Sequence, residues 1–356
     1  MAVAARAAGG LFPVSGERGA EYPNCINPNN NQIKNTTMST PTIIIDKLSY
    51  ILNAENHTAT LSECLDKEVK YIAIPETITY KEVVYSVTRL GHLAFNRCSI
   101  EQVSIPNSVQ YIEDNAFADC VNLVSVTIPD SITRIDEWTF TGCCSLMNIV
   151  IPNTITSIGR GAFCGCIALT DITIPNSVTS IGSRVFWNCK NLQHVELPQS
   201  LTYIPEKTFI GCSSLQNIII PDSVERIGSA AFRYCKSLTD ITIPNGVKVI
   251  GFTAFECCES LTSISIPEGV ERIEGRAFQG CKSLISVTFP TTITGFFVEK
   301  SYMVLHPKFW EKERLIGTAG IFEKCPSLAA IYIPQGMTEK YCSLGLEMWR
   351  DKIVER

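Results

Sequence analysis

This sequence is poor in charge, in histidine and in long apolar runs, and each shortage removes a class of function. Only 18% of its 356 residues are Asp, Glu, Lys or Arg, and 30 Lys and Arg against 35 Asp and Glu leave a formal net charge of −5. Gripping phosphates takes clustered Lys and Arg, so a nucleic-acid partner is excluded and an anionic membrane surface is disfavoured. Histidine is limited to four residues, His57, His92, His194 and His306. There is no Gly-rich phosphate loop, no His-Glu-x-x-His and no Gly-x-Ser-x-Gly, so no enzyme, cofactor or metal site is expected. No apolar run approaches the ~20 residues that span a bilayer, which excludes membrane insertion. The opening MAVAARAAGGLFPV holds one Arg and no solid apolar stretch before Pro13, a poor match to a signal peptide.

What the sequence does have is 45% hydrophobic residues, enough for a large core, arranged with a fixed period. Residues 1–41 stand apart: Asn27-Pro-Asn-Asn-Asn31 and Lys34-Asn-Thr-Thr-Met-Ser-Thr40 are polar and lack aromatics, so this stretch is expected to be disordered. Beyond it Pro106, Pro129, Pro152, Pro175, Pro198, Pro221, Pro244, Pro267 and Pro290 recur every 23 residues. Phe117, Phe140, Phe163, Phe186, Phe209, Phe232, Phe255 and Phe278 keep the same step, each with a Cys three residues later. A period of this size dictates a solenoid, because one coil has a single apolar edge and is stabilised only by stacking on its own copies.

One unit, read from Cys235, is CKSLTDITIPNGVKVIGFTAFEC. Its Ile-x-Ile alternates as a strand requires. Pro cannot donate to a ladder and so ends the strand, and Asn-Ser, Asp-Ser or Asn-Gly supplies the turn. A second extended piece, Val-x-x-Ile-Gly, leads into the Ala-Phe-x-x-Cys corner. The predicted fold is a right-handed, β-rich repeat solenoid of about ten 23-residue coils with short parallel strands and terminal caps.

These residues resemble the BspA-like subtype of leucine-rich repeats, marked by Ile-x-Ile-Pro followed by Ile-Gly-x-x-Ala-Phe-x-x-Cys, over roughly residues 70–335. The resemblance extends to the flanks, with a hairpin-like segment at 42–74 and a closing pattern of Pro334-Gln-Gly336, Tyr341 and Trp349. Residues 42–97 are expected to form an N-terminal cap and first irregular coil, 98–333 the repeats, and 334–356 a C-terminal cap. Caps are needed because an end coil otherwise exposes an apolar face and an open strand edge. The resemblance also implies a cell-surface or secreted protein that attaches to host proteins or other cells.

The array departs from its period twice. From Pro75 to Pro106 the step is 31 residues, with the excess around Thr79–Tyr85, where a turn or hairpin fits. From Pro290 to Pro334 it is 44, which places an insertion at about 296–316. The insertion mixes Phe296, Phe297, Tyr302, Phe309 and Trp310 with Lys300, Lys308, Lys312 and Arg314, either a contact loop or aromatics folded back onto the last coils.

Strand alternation turns two residue columns outward, and their variation peaks at Asn148, Asp171, His194, Glu196, Asn217 and Asp240. Those six, with Phe297, Tyr302, Phe309 and Trp310, are the candidate partner-binding residues. Any single Ser or Thr there equally suits a solvated strand face. The 16 cysteines mostly share one column, Cys98 to Cys325, which reads as a stacked interior thiol ladder rather than a disulfide framework. Cys143, Cys144, Cys164 and Cys166 lack the C-x-x-C pairs of a zinc site. His194 beside Glu196 is the one suggestive catalytic pair, with no nucleophile predictably in reach.

The function so read is a non-enzymatic protein-binding or adhesion module using the polar strand face and the aromatic insertion. An intracellular scaffold or effector and a glycan-binding surface are the alternatives. Free thiols lean towards a reducing interior, so a cytoplasmic location stands beside the cell surface. The sequence does not identify the partner.

Overall fold

The computed structural model describes residues 41–297 and 320–356, which belong to one compact unit, Lys34–Arg356. It is a parallel β-solenoid of about eleven turns of roughly 23 residues, one more than the sequence reading expects. Each coil carries a first strand of three residues, such as Gln102–Ser104, Ser125–Thr127 and Asp171–Thr173. A second of about two follows the turn, such as Arg134–Ile135 and Ser157–Ile158. Along the first strand burial alternates out, in, out, as the Ile-x-Ile pattern requires.

The turn between the two strands explains its own sequence. The Pro carbonyl accepts the backbone N–H three residues on, as from Val178 to Pro175 at 3.0 Å. The hydroxyl beside it reaches the coil before: Thr154 Oγ1 donates to the Ile132 carbonyl at 2.8 Å and Thr292 Oγ1 to that of Val270 at 2.7 Å. After the second strand the coils approach so closely that a Cβ on Gly182 would lie 2.5 Å from the Arg160 amide nitrogen. Only glycine fits there, which accounts for the Ile-Gly of the repeat.

The corner is the most regular part of the core. Phe95, Phe117, Phe140, Phe163, Phe186, Phe209, Phe232, Phe255, Phe278 and Phe322 are buried and stack face to face, with ring centroids from 5.1 Å to 5.9 Å apart. Burying a Phe side chain stabilises by about 1.5–3 kcal/mol, and aromatic pairing adds to that. Beside the rings each thiol from Cys120 onward donates to the carbonyl of the Phe one coil back: Cys143 to Phe117 at 3.2 Å, Cys189 to Phe163 at 3.1 Å, Cys281 to Phe255 at 3.2 Å. The cysteine column is therefore a hydrogen-bonding ladder as well as packing material. Among the described residues no two cysteines are joined by a disulfide.

Before the coils lie β1 (Thr42–Ile45), β2 (Leu48–Asn53), β3 (Thr58–Cys64), β4 (Tyr71–Ala73), β5 (Thr77–Tyr80) and β6 (Val83–Leu90). The extra length before Pro106 is the β5–β6 hairpin, turned through Lys81 and Glu82 with φ of 48° and 66°, the left-handed pair of a type I′ turn. The order β1-β2-β3-β6 joins the coils where Arg89 and Leu90 pair with Tyr111 and Ile112. At the other end Tyr341 is buried, stacks on Phe289 at 5.6 Å and donates its hydroxyl to the Pro290 carbonyl. Trp349 meets Phe322 edge-on at 5.6 Å, and Ile353–Glu355 pair with Ile331–Ile333.

The inserted residues leave the ladder unbroken. Phe322 stacks on Phe278, and Cys325 donates to the Phe278 carbonyl at 3.1 Å across 47 residues of chain. Gly295–Phe297 pair with Arg272–Glu274, so Phe296 and Phe297 occupy a second-strand position rather than opening a loop. Phe296 is buried against Phe289, ring centroids 5.5 Å apart. Tyr302, Phe309 and Trp310 lie outside the described residues.

Candidate functional site

The six candidate residues on the first strands are all exposed and sit in five successive coils. Asp171 pairs in register with His194, and Thr173 with Glu196, so these four side chains form a square on one face. Thr173 Oγ1 donates to Glu196 Oε2 at 3.1 Å, which orients the carboxylate on the face.

The face is not a continuous sheet. One parallel run joins β4 to Asn148–Val150, a second joins only Asp171–Thr173 and His194–Glu196, and a third runs from Ser263–Ser265 to Ile353–Glu355. Residues 217–219 and 240–242 join no ladder. A depression opens at each break beside the middle pair. One, of about 430 Å3, is lined by Asn148, Val150, Asn153, Asp171 and Thr173 among others. The other, of about 540 Å3, includes His194, Glu196, Gln199, Asn217 and Ile219. The structure thus brings five of the six candidates to two adjoining hollows. Asp240 lines neither, and lies one coil beyond Asn217.

Two features of this face escaped the reading of its polar columns. Val150 and Ile219 are 79% and 82% exposed, an unusual waste of apolar area unless something covers it. They flank Thr173 and Glu196 in a single column. The second feature is charge. In ten successive coils the stretch from the residue before the conserved Leu to the turn, from 99–108 and 122–131 through to 283–292 and 327–336, contains no Lys or Arg; the matching stretch of the β4 coil before them carries Lys70, paired with Glu101 at 3.3 Å. The ten stretches hold Glu101, Asp130, Asp171, Glu196, Asp222, Asp240 and Glu268. Basic residues of these ten coils are confined elsewhere: Arg134, Arg226 and Arg272 on the second strands, Lys190, Lys236 and Lys282 after the corner. Both features are visible once the repeats are aligned column by column.

Chemically the face offers carboxylates, amides, one imidazole and two apolar anchors. The hollow holding His194 and Glu196 is lined by no Ser or Cys. Cys143 and Cys166 are engaged in the thiol ladder, and among the described residues no group of His, Cys, Asp and Glu is arranged to hold a metal ion. Among the same residues no helix is long and apolar enough to cross a membrane.

Known proteins agree with this architecture. A leucine-rich repeat protein from Bacteroides ovatus is 26% identical, with a TM-score of 0.55, over 84% of this chain and 96% of that one. A T. pallidum leucine-rich repeat protein is 29% identical with a TM-score of 0.50, over 56% of this chain and 92% of its own. The pneumococcal vaccine antigen PcpA shares the fold at 18% identity and a TM-score of 0.56, over 83% and 82% of the two chains. No curated protein matches. Six copies of the BspA type leucine rich repeat region match residues 88–216 and 202–303, more than half of the sequence. The resemblance carried by the Ile-Pro and Phe-x-x-Cys columns therefore holds, and this chain belongs to the BspA-type leucine-rich repeat family.

Proposed function

We infer that this chain is a non-enzymatic binding module that holds a protein partner on its first-strand face, centred on Asn148, Asp171, His194, Glu196, Asn217 and Asp240. The observation that carries the reading is the absence of Lys and Arg from that face in the ten coils between residues 99 and 336, combined with the exposed Val150 and Ile219. A surface of one sign favours an opposite partner and repels others by several kcal/mol, and apolar anchors within it supply area to bury. The partner's chemistry follows: an extended or flat protein segment bearing Lys or Arg with apolar side chains between them. Family resemblance supports a cell-surface location for such a module, with attachment as its use.

Peptides of graded charge, presented to the intact chain and to a variant with Asp171, His194, Glu196 and Asn217 replaced by Ala, test this. Cationic-apolar peptides are expected to bind the intact chain, to lose affinity steeply as salt rises, and to bind the variant at least ten-fold more weakly. Equal binding of anionic peptides, or no effect of the four substitutions, overturns the reading. The amides lining both hollows, Asn148, Asn153, Asn176 and Asn217, favour a second reading, a glycan surface. Salt-independent binding of neutral oligosaccharides selects it.

A further inference from the structure

The thiol ladder changes character at its first rung. From Cys120 to Cys325 every rung runs from a thiol to a Phe carbonyl, as from Cys120 to Phe95 at 2.9 Å and Cys235 to Phe209 at 3.2 Å. Cys98 stands in the first coil and has no earlier Phe to reach. The place one coil back is taken by the end of β3 and the residues after it. Two backbone bonds lay that segment against the first corner: Cys64 N–H to the Ala94 carbonyl at 2.7 Å, and Ser99 N–H to the Lys67 carbonyl at 2.6 Å. Between them Cys64 Sγ donates to the Asp66 carbonyl at 3.3 Å and Cys98 Sγ reaches the Asn96 carbonyl at 4.0 Å, and the two thiols are near enough for each to shift the other's titration, so this rung sets thiol beside thiol.

The two sulfurs are unlike. The neighbouring Cys98 thiol brings the Cys64 thiol down to about 7, helped by the Asp66 backbone and the Lys67 ammonium and opposed by burial and the Asp66 carboxylate. That same proximity, and burial, push Cys98 up. Elsewhere in the ladder burial raises the thiol, as at Cys143, Cys212, Cys258 and Cys281. Cys64 also lines a depression of about 190 Å3 with Asp46, Lys47, Asp66, Val69 and Tyr71, room for water-sized molecules. Cys64 is 1% exposed, whereas Cys120 to Cys281 in the ladder column are wholly buried.

We propose that Cys64 and Cys98 form a peroxide-reactive dithiol, with Cys64 the attacking sulfur and a Cys64–Cys98 disulfide the product. The Cys64 thiolate attacks one oxygen of hydrogen peroxide; the O–O bond breaks, hydroxide leaves and is protonated, and Cys64 becomes a sulfenic acid. Capping Cys64 removes the main cause that holds the proton on Cys98. The Cys98 sulfur then attacks Cys64 Sγ, the S–O bond breaks and water departs with the Cys98 proton. The pair loses two electrons, and peroxide is reduced to two waters. The product links β3 to the first coil covalently, closing a loop from residue 64 to residue 98.

Reduced full-length protein, treated with hydrogen peroxide at one to five equivalents and pH 7.5 and mapped by differential alkylation and peptide mass spectrometry, tests this without any substitution. The expected result is one cross-linked pair, the peptides holding Cys64 and Cys98, appearing before loss of any other thiol. In Cys98→Ser, which keeps a donor beside Cys64 but cannot form the disulfide, Cys64 is expected to accumulate as a sulfenic acid that a cyclic diketone traps; in Cys64→Ser, Cys98 is expected to stay reduced. Faster loss of the partly exposed Cys144 or Cys257, with Cys64 and Cys98 unmodified, overturns the proposal. So does a Cys64 sulfenic acid in the unsubstituted protein that never proceeds to the disulfide.

Discussion

The corner and the first-strand face belong to the same coils, yet one is nearly invariant and the other is broken. At the corner, stacked rings keep within 5.1–5.9 Å of their neighbours and every thiol from Cys120 onward finds a Phe carbonyl. On the face, pairing lapses at residues 217–219 and 240–242, and charge, amides and bare apolar groups replace one another from coil to coil. Stacking fixes the pitch from the inside, which frees the outside to vary. If that division is real, damage at the corner costs stability and damage at the face costs only binding.

The largest expected effect is on all the corner thiols together. Burial raises Cys120, Cys143, Cys212, Cys235, Cys258, Cys281 and Cys325 above the ordinary 9.0. The unfolded chain therefore releases these protons first as pH rises. Their contribution is whole below about pH 9 and is lost above it, at up to about 1.4 kcal/mol per thiol per pH unit. Denaturant midpoints measured in reductant from pH 7 to 10.5 should be flat and then fall steeply; a flat profile to pH 10.5 breaks the ladder account.

Next in size is Phe186→Ala, which opens the middle of the ring stack and is expected to cost about 3–5 kcal/mol in urea titration. Gly182→Ala drives a methyl against the Arg160 backbone and is expected to cost about 1–3 kcal/mol. By contrast, Asp171→Ala or Glu196→Ala is expected to shift stability by less than about 0.5 kcal/mol, since each side chain is exposed. A loss above about 1.5 kcal/mol there would erase the distinction between the two sides. The smallest change sharpens it: Tyr234 sits at φ 62° in a column where Gly142, Gly165, Gly211 and Gly280 take the same left-handed turn. Tyr234→Gly is expected to gain about 0.5 kcal/mol, seen as a small rise in Tm.

The period, the strand and turn positions, and the thiol and ring columns were all legible in the sequence, because each is a local constraint printed once per coil. The outward columns were legible too, since alternation along a strand is geometric. The breaks in the face were not. Asn217-Ile-Ile219 and Asp240-Ile-Thr242 read like their neighbours, and pairing depends on how adjacent coils tilt, which no single unit encodes. Phe296 and Phe297 were misjudged as the start of the insertion because the Ile-Gly that marks that strand elsewhere is replaced there. Cys64 lay outside the repeat alignment, so nothing local linked it to Cys98.

Rings that touch only their neighbours also dictate how such an array answers to force. Pulled from its two ends, a molecule held by coil-to-coil stacking has no single point of failure; each coil can peel away while the rest stay stacked. A coil of 23 residues, each spanning ~3.4 Å when extended, releases about 80 Å of slack. A solenoid built this way yields in steps, spending work over distance instead of snapping.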